Sequence, residues 1–176
     1  MGKREVKVSK KRQVNTYAYP LNASEVMLRK AYNDQQGSIH HVMASVIFIA
    51  FTMEAYLNHL GLGIFECWDD VERQLSPLSK LNFIAEKLGI KRNKGGRPYQ
   101  TVSEVFTFRN LLAQVKSELL KSRNEIRFVD DRFEPYTDEP LKTNWENFCT
   151  KKNAIKALTD IKAIDNSLVN SGIILS

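Results

Sequence analysis

Val42-Met43-Ala44-Ser45-Val46-Ile47-Phe48-Ile49-Ala50-Phe51-Thr52-Met53-Glu54-Ala55-Tyr56-Leu57 is the stretch on which the fold turns. It holds no proline or glycine, and its apolar residues fall on nearly every side of a helical wheel. A helix apolar all round is a central, buried one. The chain around it is therefore expected to wrap further helices about a core helix. With only 8 glycines and 5 prolines in 176 residues, it lacks the turn residues of an all-β or disordered chain.

Working outward, helical character is expected from Asn22 to about Leu60, with a bend near Gly37. Asn22 and Glu25 have the spacing of a capping box, in which each side chain satisfies an orphan backbone N–H. Gly61 and Gly63 are expected to end this region as C-caps. A short amphipathic piece is expected over 65–75. Ser76-Pro77 reads as a helix start, because serine caps and proline fits the first turn. That helix carries Leu78, Leu81, Ile84, Ala85 and Leu88 and stops at Gly89. Thr101 with Glu104 offers a second capping box, ahead of the stripe Val105, Phe108, Leu112, Val115 and Leu119. A long irregular segment over 123–142, with a short hairpin through Ile126-Arg127-Phe128, precedes a third box, Thr143 with Glu146. The last helix carries Trp145, Phe148, Ile155, Leu158, Ile161 and Leu168. The expected architecture is all-α: an up-and-down bundle of four to five helices over 21–176, behind a basic flexible tail, 1–20.

The tail holds Lys3, Arg4, Lys7, Lys10, Lys11 and Arg12 against Glu5, so the remaining 164 residues carry only +1 of the net +6. Two readings of it stand: nonspecific attraction to nucleic acid or acidic lipid, and a solvated terminus. Cys67 and Cys149 have no metal-ligand spacing, which suits free thiols in a reducing compartment. Residues 1–15 lack the apolar stretch of a signal peptide. The most apolar run, Val42 to Met53, is shorter than the about 20 residues that span a bilayer. A cytoplasmic protein without membrane partners is expected.

Standard catalytic fingerprints are missing: there is no phosphate-binding glycine loop, nucleophile elbow or zinc-binding His pair. The three histidines are His40, His41 and His59. His40 and His41 are adjacent and point about 100° apart on a helix, so no metal or other cofactor is expected. His59 reads as a helix-end residue near Gly61. The loop Lys91-Arg92-Asn93-Lys94-Gly95-Gly96-Arg97 is either a phosphate cradle built from backbone N–H groups or a solvated basic loop. Trp68, Trp145, Phe51, Phe106 and Phe108 read as core or dimer contacts rather than base-stacking platforms, since they lack the clustered lysine and arginine of a stacking groove.

Two segments carry a family resemblance. One is Ala50-Phe51-Thr52-Met53-Glu54-Ala55-Tyr56-Leu57-Asn58-His59-Leu60-Gly61. The other runs from Pro98-Tyr99-Gln100-Thr101-Val102 into Phe108-Arg109-Asn110-Leu111-Leu112-Ala113-Gln114-Val115-Lys116. Together they resemble bacterial HEPN domains over about residues 22–170. These are helical bundles with an early acidic residue and a later Arg-Asn-x-x-x-His-type motif. The resemblance implies a metal-independent ribonuclease scaffold, often of toxin–antitoxin or phage-defence systems, completed at a homodimer interface. It places Arg109 and Asn110 in the motif, Glu54 as the early acid with Asn58 one turn on, and Gln114 where the family has histidine. Asn58, Lys116 and the loop cations Lys91, Arg92, Lys94 and Arg97 are the candidate binding residues.

Glutamine does not titrate near neutral pH. General acid–base catalysis is typically worth on the order of 10²–10⁴ in rate, so most nuclease activity is expected to be lost. The leading expectation is a binding or regulatory module, dimeric or held by a partner protein, with RNA or a nucleotide as ligand. The alternatives are an active ribonuclease that borrows His40, His41 or His59, and an adaptor bundle unrelated to nucleic acid. Arg109 itself has two readings, a structural pair with Glu54 or a remnant binding site.

Overall fold

The computed structural model describes residues 7–12, 14–93, 95–114, 117–121 and 140–170. Among them lie seven helices and no strand: α1 (Ala18–Asn33), α2 (Ser38–Ile64), α3 (Trp68–Val71), α4 (Pro77–Lys87), α5 (Tyr99–Gln114), α6 (Asn144–Phe148) and α7 (Lys151–Asn170). Five are long, as the bundle reading expects. The short α3 packs against α2 and the short α6 against α5. The hairpin expected at Ile126–Phe128 lies outside the described residues.

The chain bends at Gly37 by breaking the helix. Gly37 takes φ +80°, which a residue with a Cβ resists, and one long helical region becomes the pair α1 and α2. These two make the most extensive contact in the fold. Ser45 Oγ pins them together, donating to the Ser24 carbonyl at 2.9 Å. The 27-residue α2 is the central element, packed against α1, α3, α4, α5 and α7. Val42, Val46, Ile49, Ala50, Met53 and Leu57 are buried, while Phe51 stays 46% exposed, so the helix is not covered on all sides. Contrary to the estimate from the apolar run alone, α2 has the length and composition of a membrane span. Its most apolar 18-residue window has a mean hydropathy of 1.4, and 39% of that window is buried.

The helix-start and helix-stop signals fared unevenly. Ser76 Oγ caps α4 by accepting from the Ser79 N–H at 3.1 Å, with Pro77 at the first helical position. Gly89 ends α4 at φ +68°: its N–H reaches the Glu86 carbonyl, and that of Ile90 reaches Ala85, the double bond of a Schellman motif. The Thr143–Glu146 capping box is formed in both directions. The other two boxes are not. The first helix starts at Ala18, with Pro20 tolerated in a first turn whose N–H groups need no helical partner, so Asn22 and Glu25 lie inside it. Likewise α5 begins at Tyr99, and the Thr101 hydroxyl is used elsewhere.

Two stripes are also shifted. Leu119 is exposed beyond the end of α5, and the buried face of α7 is Ala154, Ala157, Asp160, Ile161, Ile164 and Leu168, with Ile155 outside it. Trp145 and Phe148 belong to α6, separated from α7 by Cys149 and Thr150. Gly61 and Gly63 do not cap α2, which runs on to Ile64. A Cβ on Gly61 would sit 2.0 Å from the Trp68 ring, so this glycine lets the indole lie directly on the helix.

Candidate functional site

Helices α2 and α5 cross so that Glu54 meets Arg109. Arg109 Nη1 donates to Glu54 Oε2, while its Nε and Nη2 donate to Asn110 Oδ1 at 3.2 and 3.1 Å. The guanidinium also lies over the Phe106 ring, 5.0 Å from the centroid. Four of the positions singled out in sequence are thereby joined or adjacent: Glu54, Arg109, Asn110 and, one turn along α2, Asn58. Asn58 Oδ1 accepts from Lys80 Nζ of α4 at 2.7 Å. Lys80 is 3% exposed, and sequence reasoning passed over it. Its one visible signal is a charge immediately beside the buried Leu81 and on the face of Ile84. A charge taken out of water requires such a polar partner.

Gln114 does not join Arg109. Residues five apart on a helix point about 140° apart. Asn110 and Gln114 instead share the exposed face of α5, where they line a shallow concavity with Thr107, Leu111 and Glu118. Asn110 therefore links the two sides, accepting from Arg109 while lining the outer face. Glu118 is the ionisable side chain lining this concavity among the described residues, and its carboxylate repels phosphate. Lys116 and Lys94 lie outside the described residues.

The histidines sit elsewhere. His59 packs on Tyr17 with ring centroids 5.3 Å apart, inside α2 and about 140° around the helix from Glu54. His40 and His41 begin α2, about 20 Å from Glu54 along the axis. His41 Nε2 lies 3.8 Å from the Asp34 carboxylate. None of the three borders Arg109 in this arrangement. Among the described residues no cluster of three potential metal ligands forms.

The two glycine amides of the basic loop are already engaged. Gly95 N–H bonds the Asn93 side chain at 3.3 Å, and Gly96 N–H bonds the Asn93 carbonyl at 3.1 Å, so both amides are spent. Arg97 is taken as well. It grips Asp160 of α7 in a two-pronged pair, Nε to Oδ2 at 2.8 Å and Nη2 to Oδ1 at 2.7 Å. Thr101 Oγ1 donates to the same Oδ2 at 2.6 Å. Burial pushes the Asp160 carboxyl up, but the Arg97 and Thr101 hydrogen bonds and the Arg97 charge outweigh it and hold the group below the usual carboxylate range. Asp160 was missed because it reads as one surface acid in α7. Its signal is the spacing Ala157, Asp160, Ile161, Ile164, which puts it on the apolar face. Lys91 is exposed and Arg92 half-buried.

Of the aromatic candidates, Trp68, Phe106 and Phe108 are core residues, and Trp145 is half-buried beside a groove between α5 and α6. Compared with protein-family models, curated proteins and solved structures, the chain matches none.

Proposed function

We propose that this chain is a HEPN-like RNA-binding or regulatory module with impaired nuclease chemistry. It acts in the cytoplasm as a homodimer or with a protein partner, in a toxin–antitoxin or phage-defence setting. One observation carries the reading. Glu54, Arg109 and Asn110, the positions the resemblance selects from two segments 55 residues apart, meet in one polar node. The impairment follows from Gln114, which cannot move a proton, and from histidines that face other parts of the fold.

The ion pair with Glu54 is also what the structural reading of Arg109 expects, so the RNA-binding reading takes the outer face at Asn110 as the contact surface. On the outer face of α5 the exposed, uncharged pair Asn110 and Gln114 supplies hydrogen-bond donors and acceptors.

The test is fluorescence anisotropy with a single-stranded RNA, using the full chain and one lacking residues 1–15. The shortened chain is expected to retain binding that weakens with salt. Gln114→Glu, at an exposed position, is expected to weaken it roughly fivefold, since a like charge near phosphate costs about 1 kcal/mol in water. If all binding disappears with the tail, the bundle is an adaptor unrelated to nucleic acid.

A further inference from the structure

The groove between α5 and α6 has a volume of about 370 Å³, within the size range of small-molecule sites. Its floor is aromatic and apolar: Phe108, Phe148 and Trp145, with Leu111 at one end. The Phe108 and Phe148 rings are 5.3 Å apart and tilted by 39°. Around this floor stand Gln100, Ser103, Thr107 and Asn144. None of these four side chains has a hydrogen-bond partner among the described residues. The charge on the rim is already neutralised, because Glu104 accepts from Lys156 Nζ at 2.6 Å.

The wall is rigid for so short a helix. None of the five residues of α6 is fully buried, yet its N-terminus is locked by the reciprocal Thr143–Glu146 box. That fixes Asn144 and Trp145 in place while leaving part of the indole open to the groove. Preorganised aromatic surface beside uncommitted amides and hydroxyls suits a flat ring with donors and acceptors on its edge. A rim without net charge suits the ring, not a phosphate.

We propose that this groove binds an uncharged heteroaromatic base, with its face on Trp145 and its edge read by Asn144, Gln100, Ser103 and Thr107. Thr107 and Leu111 also line the concavity of Asn110 and Gln114, so a base seated here directs its sugar toward that face. The proposal rests on the RNA-binding reading for the polymer that carries the base. The groove itself is an independent observation.

The experiment is a fluorescence titration of the full chain with adenosine, guanosine, cytidine, uridine and a short single-stranded RNA. Trp145 is the reporter, since Trp68 is 2% exposed. At least one nucleoside is expected to quench the emission, with an affinity unchanged between about 50 and 200 mM salt, because no phosphate is neutralised. Asn144→Ala should weaken that nucleoside roughly fivefold, the worth of one net hydrogen bond. Thr107→Val serves the same purpose should Asn144→Ala fail to fold. Nucleoside binding without RNA binding supports the pocket, names a free base as its ligand and sinks the RNA reading. RNA binding that ignores both variants, with no nucleoside response, overturns the pocket and leaves the RNA reading intact. No response to any ligand overturns both.

Discussion

Arg97 and Asp160, 63 residues apart, clasp each other through two hydrogen bonds that tie the chain entering α5 to the middle of α7. Thr101 adds a third bond from the first turn of α5. Since the Asp160 side chain is only 7% exposed, this clasp decides whether a buried charge is solvated by protein or by nothing. Arg97, a candidate binding residue of the basic loop in sequence, is engaged with Asp160 in the fold.

Removing a donor from a buried carboxylate is costly. Thr101 is itself fully buried. Thr101→Val is expected to destabilise the fold by about 1.5–3 kcal/mol, the range for hydrogen bonds to charged groups. Urea denaturation of the two proteins measures it, and an unchanged midpoint would show that the clasp does not hold the helices.

The same carboxyl gives a pH dependence with a fixed sign. Asp160 has a folded pKa held below its unfolded value of about 3.9. Its contribution is complete above that unfolded value and is lost as pH falls through the folded one. Stability should drop steadily in acid below about pH 4. Asp160→Asn should be less stable at neutral pH and show a flatter acid limb. Parallel limbs for the two proteins would mean that Asp160 is not the group titrating.

The Gly61 contact makes a prediction opposite to helix propensity. In an exposed helix, Gly→Ala stabilises by roughly 1 kcal/mol. Here the new methyl would meet the Trp68 ring at 2.0 Å, and Trp68 is stacked on Phe65 with ring centroids 5.5 Å apart. Overpacking of this kind typically costs about 1–3 kcal/mol. Gly61→Ala is therefore expected to lower the melting temperature; a rise would place the indole elsewhere.

The two thiols should differ in reactivity. Cys149 is buried, and burial pushes its thiol up to about 11, so little thiolate forms near neutrality. Cys67 is exposed. Alkylation of the native chain followed by mass mapping should label Cys67 first and Cys149 only on unfolding. Equal rates would contradict the burial of Cys149, whose thiol lies 3.5 Å from the Ile39 carbonyl of α2.

The helix boundaries that sequence revealed are those decided within one turn. Ser76-Pro77, Gly89 and Thr143–Glu146 act on their own neighbours, and each behaves as its chemistry suggests. Asn22–Glu25 and Thr101–Glu104 have the same spacing but lie inside helices. Thr101 bonds Asp160 from 59 residues away, a competition no local pattern contains. Gly61 is misread for a similar reason, since its purpose is Trp68 and not the chain direction. In the candidate site, Glu54 and Arg109 were legible through the resemblance. Lys80 was not, because a lysine in an amphipathic helix ordinarily marks the solvated face.

In the proposed reading, Gln114 leaves the Glu54–Arg109–Asn110 node without proton chemistry. RNA cleavage by the purified chain, beside Arg109→Ala and Gln114→His, tests it directly. The parent is expected to be inert, and Gln114→His to gain cleavage that disappears when Arg109→Ala is added, recovering part of the 10²–10⁴ typical of acid–base catalysis. Cleavage by the parent that is abolished by Arg109→Ala would contradict the account and make His40, His41 and His59 the residues to examine.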